Sequence, residues 1–176
     1  MKYINILLLF VLIFSIGCSS NSSIKKYNSA IEKARIGNYN DAIVDLEEMI
    51  MKKPNDAEAH DLLGVCYDHV GKTNDAISAF KTALKLDPTN PKYSNHLGMI
   101  YAYDLSYDLA HTQFLYTLKV DPENADAYYY MGKLYWKQSR EAEAVEAWEK
   151  CMKIDPTHLS AAEALDKAKS LLQKSK

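Results

Sequence analysis

Apolar residues follow two patterns along the chain. From Ile4 to Ile16 they run almost unbroken (INILLLFVLIFSI) behind the basic start Met1-Lys2-Tyr3. From Ser23 onward apolar and polar positions alternate at helical spacing, and the pattern repeats every 34 residues. Three blocks, beginning at Ala57, Pro91 and Ala125, show it best. Their seventh residues are Leu63, Leu97 and Met131; their eighth are Gly64, Gly98 and Gly132; their eleventh are Tyr67, Tyr101 and Tyr135. The twentieth are Ala76, Ala110 and Ala144, the twenty-fourth Phe80, Phe114 and Trp148, and the twenty-seventh Ala83, Thr117 and Cys151. A fixed period of this length marks a stack of identical supersecondary units, each unable to bury its apolar face alone.

Each block predicts two helices of about 14 residues joined by a tight turn. In the block from Ala57 they run from Ala57 to Val70 and from Thr73 to Leu86, with Gly71 between them supplying the left-handed backbone that ends a helix. Pro88 stops the second helix, Asn90 caps the next, and Pro91 suits its first turn. Gly64 and Ala76 are small where two helices cross, and Tyr67 and Phe80 fill the space beside them. An earlier block, Ser23 to Asp56, keeps the second-half residues Gly37, Asn38, Tyr39, Ala42, Leu46, Met49 and Pro54, but has Ser29, Ala30 and Lys33 at the seventh, eighth and eleventh positions. Degeneracy is expected of a terminal repeat with one neighbour. From Leu159 a fifth block begins and stops, with an expected apolar stripe of Ala162, Leu165, Ala168 and Leu172; it reads as a capping helix.

These residues resemble the tetratricopeptide repeat, and the resemblance covers 136 of 176 residues. It implies an all-α right-handed solenoid: a degenerate repeat over 23–56, repeats over 57–90, 91–124 and 125–158, and a cap over 159–176. It also implies that the first helices of successive repeats line a concave groove that grips other proteins. With the fourth, seventh, eighth and eleventh positions as the core stripe, the second, fifth, ninth, twelfth and thirteenth face the groove. The groove residues expected on this basis are Tyr27, Asp61, Val65, Asp68, Lys92, Asn95, Met99, Tyr103, Tyr129, Lys133, Trp136 and Lys137. Trp136, Tyr129 and Tyr103 stand out because large aromatics with a polar handle are over-represented among binding hot spots. Tyr128 falls on the core stripe. Block two contributes an acidic band of Glu58, Asp61 and Asp68, while later blocks contribute Lys92, Lys133 and Lys137. The expected ligand is therefore a peptide with its basic part against block two and its apolar part against Tyr129 and Trp136. The Lys/Asn clamp with which some family members hold chaperone tails is absent, since only Lys92 matches it and His96 replaces an Arg.

The apolar run at the N-terminus is about 13 residues long, whereas a membrane-spanning helix needs roughly 20. Its length and flanks fit a secretory signal over 1–17. The run ends in Ser15-Ile16-Gly17-Cys18 and is followed by Ser19-Ser20-Asn21-Ser22-Ser23. This is similar to the lipobox and polar tether (18–23) of bacterial lipoproteins, with Ser15 where those usually have Leu. The resemblance implies cleavage before Cys18, lipid on its thiol, and anchoring stable enough to persist because more than one acyl chain is attached. Ser19, in place of Asp, implies export to the outer membrane in a cell with two.

A net charge of -2 argues against a general nucleic-acid partner, which needs a basic surface. Three cysteines, Cys18, Cys66 and Cys151, are too few and too scattered for a disulfide framework or a zinc site. The five histidines form no H-x-x-x-H pair, and no phosphate loop or G-x-S-x-G turn occurs. His60 and His111 fall at core positions. The expectations are no enzyme activity, no cofactor, no metal and no small-molecule substrate. The expected role is a membrane-anchored, pilotin-like adaptor for peptide segments of envelope proteins. A monomer is favoured with the oligomeric state left open, and the alternative is a structural lipoprotein that self-assembles through its groove.

Overall fold

A computed structural model describes residues 24–174. Among them are nine helices and no strand. They are α1 (24–35), α2 (Tyr39–Lys52), α3 (Ala57–His69), α4 (Thr73–Leu86), α5 (Pro91–Tyr103), α6 (Tyr107–Val120), α7 (Ala125–Lys137), α8 (Glu141–Ile154) and α9 (Leu159–Lys174). The fold is an all-α solenoid of stacked helical hairpins, the architecture that the tetratricopeptide resemblance implies. None of these helices is long and apolar enough to cross a membrane. The expected signal segment over 1–17 and the expected tether with Cys18 lie outside the described residues.

The helix starts repeat as strictly as the core. Asp56, Asn90 and Asn124 each accept a hydrogen bond from a backbone N–H of the first turn of α3, α5 and α7, at 3.1, 3.1 and 3.0 Å. At the same place before α9 the imidazole Nδ1 of His158 accepts from the Ala161 N–H at 3.1 Å. Each bond satisfies one of the donors left over at a helix N-terminus. The turns inside the hairpins share one left-handed residue per repeat: Gly37 (φ 82°), Gly71 (φ 76°), Leu105 (φ 60°) and Ser139 (φ 57°). In the last two repeats the turn geometry persists without glycine, at a steric cost of about 1–2 kcal/mol each.

Each helix packs on the one before and the one after, and in addition α3 touches α5 and α5 touches α7. The second helices α4, α6 and α8 make no comparable contact with each other. First helices are thus drawn together and second helices splayed, so the solenoid curves with α3, α5 and α7 on its inner side. Inside each of the last three hairpins an aromatic ring packs closely against a glycine. A Cβ built on Gly64 would stand 2.6 Å from Phe80, on Gly98 2.5 Å from Phe114, and on Gly132 2.4 Å from Trp148. The first repeat solves the same crossing differently, with Ala30 and Leu46, both fully buried. The larger residue in the eighth position is matched by a smaller one in the twenty-fourth.

Two core assignments need correction. In α3, α5 and α7 the third residue of the block is buried, with Ala59, Tyr93 and Ala127 0–2 % exposed, whereas of the fourth residues only Ser94 is buried and His60 and Tyr128 are half-buried. In α9 the buried residues are Ala161 and Ala168, not Ala162; they are the third and tenth of the fifth block, as Ala59 and Cys66 are of the second. The cap therefore docks as a further first helix would. Both corrections have one cause. A first helix packs against its own second helix and against the preceding repeat, so its buried arc is wider than a single stripe and is rotated from it.

Candidate functional site

The inner surface is built from side chains of α3, α5, α7 and α9, and the structure divides the expected groove residues into three groups. The first group is buried between repeats. Asp61 has a side chain only 1 % exposed, with Lys92 Nζ 2.8 Å from one carboxylate oxygen and His96 Nδ1 2.7 Å from the other. Asn95 is 5 % exposed, and its Nδ2 donates to Asn124 Oδ1 at 3.0 Å. The expected acidic band facing a ligand is therefore corrected: its central charge is neutralised by the next repeat's lysine and closed off from solvent. The fifth position of a first helix is aimed at the adjoining first helix, a relation that spacing along one helix does not reveal.

The second group packs at the ends of the solenoid. Tyr27 is half-buried, and burial, followed by the nearby Glu58, Asp56 and Asp61 carboxylates, pushes its phenol up to about 12. Tyr129 and Trp136 are also half-buried. The Tyr129 carbonyl accepts a hydrogen bond from Trp148 Nε1 at 3.1 Å, its ring lies 4.9 Å from that of His158, and the Trp136 ring lies 5.8 Å from Trp148. Both pack against the buried cluster of Ala144, Trp148 and Ala168, as do Ala164 and Leu165 of α9. Trp136 is thus not a lone exposed ring but part of the seat for α9, although one side of it still lines an open hollow between α7 and α9.

The third group is open. Val65 and Met99 are half-buried, and Asp68, Lys92, Tyr103 and Lys137 are exposed. Between α5 and α7 the surface drops into an apolar pit walled by Met99, Ala102, Tyr103 and Tyr130, floored by Phe114 and Leu134, and rimmed by Lys133 and Lys137. Its volume of about 80 Å³ has room for one side chain. A small-molecule pocket is usually several times larger. Lys137 Nζ lies 5.2 Å from the centre of the Tyr103 ring, and Lys133 Nζ 5.4 and 5.8 Å from those of Tyr129 and Tyr130. Burial, and then the like charge of Lys137, push the Lys133 ammonium below its ordinary value. Sequence reasoning missed Tyr130, which sits at the sixth position. Its ring is stacked 5.9 Å from Phe114.

Chemistry-bearing residues elsewhere are packed away or paired. Cys66 and Cys151 are buried, and burial raises both thiols to about 11. His60 Nε2 lies 2.9 Å from the Pro54 carbonyl oxygen and His111 Nε2 3.0 Å from the Tyr135 hydroxyl. Among the described residues no cluster of three His, Cys, Asp or Glu side chains could hold a metal ion.

Residues 37–100 and 125–158 match models of the tetratricopeptide repeat. No curated protein sequence matches the chain. Among solved structures, the crystal structure of MamA protein is 26% identical, with a TM-score of 0.70 over 85% of this chain and 81% of that one. PilF of Pseudomonas aeruginosa is 20% identical, with a TM-score of 0.78 over 88% of this chain and 71% of that one. The first repeat domain of Spaghetti, bound to the HSP90 peptide SRMEEVD, is 20% identical, with a TM-score of 0.61 over 66% of this chain and 93% of that one.

Proposed function

Since this chain is a tetratricopeptide-repeat protein, we propose that it is a scaffold that binds segments of other proteins on the inner face formed by α3, α5 and α7. The observation that carries this reading is the open track between α5 and α7. It presents an exposed aromatic, Tyr103 (59 % exposed), an apolar pit sized for one side chain, and two lysines at its rim. No catalytic constellation competes for that surface. The Spaghetti domain, a fold relative with a peptide bound, supports the mode of use. The lysine and asparagine positions that clamp chaperone tails are not reproduced here.

The scaffold is, in this proposal, an envelope lipoprotein of a bacterium, anchored through Cys18 and facing the outer membrane where there are two. Support for the anchor comes from the apolar run, Gly17-Cys18 and the serine-rich tether. A pilotin-like role, assisting assembly of an envelope complex, is consistent with the fold shared with PilF, which at 20% identity is a likeness of fold alone. Metabolic labelling with a fatty acid tests the anchor: the wild type incorporates label and Cys18→Ser does not, whereas label retained by the variant removes the lipid assignment. For the scaffold, full-length protein recovers partners from its native envelope, and Tyr103→Ala loses them while keeping its helical circular dichroism. An identical set of partners with both proteins contradicts a groove-based role.

A further inference from the structure

The track between α5 and α7 has a definite chemistry along its length. At its upper end lie Lys92, Asn95, His96, Asn124, Asp126 and Tyr130; Tyr130 then leads into the pit. Two features are unanswered within the fold. Asn95 is buried, its Nδ2 is committed to Asn124, and its Oδ1 has no hydrogen-bond partner among the described residues. A buried acceptor left in this state is a cost the fold carries. Lys133 and Lys137 meet only aromatic faces; among the described residues neither has a carboxylate within ion-pair distance. By contrast, Lys92 and His96 are already answered by Asp61.

We infer that this track binds an extended peptide segment in which one apolar side chain fills the pit and an adjoining Asp or Glu meets Lys133 and Lys137. The inference deepens the proposed function and rests on it. Charge selects the occupant. A carboxylate relieves the repulsion between the two ammonium groups, and it does so where Lys133 is partly shielded from water, so the attraction is less screened than at an open surface. A basic segment would add a third positive charge at the same place. The pit admits a Leu, Met or Val side chain and excludes a cofactor.

The test is selection of a displayed library of random peptides on the full chain in detergent micelles, followed by titration of the recovered peptides against the Lys133→Gln/Lys137→Gln variant. The expected result is enrichment of a Leu, Met or Val next to Asp or Glu, with binding weakened about tenfold or more in the double variant and weakened by added salt. Recovery of basic or uncharged peptides that still need Tyr103 overturns the inference and leaves the scaffold reading standing. So does binding that the double variant does not change. Failure to recover any peptide counts against both.

Discussion

Replacing Phe114 by Ala is expected to cost the protein about 3–5 kcal/mol, the range for deleting a fully buried aromatic ring. Phe114 is 1 % exposed. It sits in the cluster that joins three repeats, touching the Gly98 backbone, stacked near Tyr130, and sharing that core with Leu97, Ile100, Met131 and Leu134. Against a typical total stability of about 5–15 kcal/mol, the loss removes a large fraction. A thermal melt followed by circular dichroism should show the midpoint falling by about 10 °C. In a solenoid each unit leans only on its neighbours, so the damage is not spread evenly. Hydrogen exchange should accelerate most in α5, α6 and α7. The control is Leu115→Ala on the outer surface of α6, 48 % exposed, expected to stay within about 0.5 kcal/mol. Equal effects of the two variants would mean that α6 is not seated as described.

The second large effect is a coupling. Gly64→Ala inserts a methyl 2.6 Å from a ring carbon of Phe80, itself only 3 % exposed and without room to withdraw. Overpacking of this kind costs about 1–3 kcal/mol, outweighing the roughly 1 kcal/mol that Ala gains over Gly in an exposed helix. Phe80→Leu alone leaves a partial void and also destabilises. The double variant recreates the arrangement of the first repeat, Ala30 against Leu46. It should therefore be more stable than the sum of the two single changes implies, by about 1–2 kcal/mol on a double-mutant cycle of denaturant melts. Additive effects would show that glycine and ring do not meet.

Much of this architecture is legible in the sequence because it is periodic. The glycine–aromatic pairs, the caps at Asp56, Asn90 and Asn124, and the left-handed turns at Gly37 and Gly71 recur at the same interval, and local chemistry suffices to read them. What the periodicity of a single helix conceals is the side of a first helix that meets the next repeat. Asp61 and Asn95 look like groove residues when α3 and α5 are considered alone. Contacts 35 and 29 residues further along the chain, to His96 and Asn124, are what bury them. A signal was present: the third residues of the blocks, Ala59, Tyr93, Ala127 and Ala161, also recur, and comparing positions across blocks would have marked them as core. The candidate site was read less completely than the fold. Met99, Tyr103, Lys133 and Lys137 share the open track, whereas the large rings of Tyr129 and Trp136 are engaged in seating α9. Large rings are equally suited to a binding surface and to a repeat interface, and side-chain type does not separate the two.

The central claim is that partners are held on the inner face, and site-specific photocrosslinking in cells that produce the protein tests it most directly. A benzophenone side chain is placed at Tyr103, inside the curve, and in parallel at Leu115, outside it. Discrete crosslinked products from position 103 that are absent from position 115, and that disappear when Lys133 and Lys137 are changed to Gln, are the predicted result. Products from position 115 with none from position 103 would contradict the account.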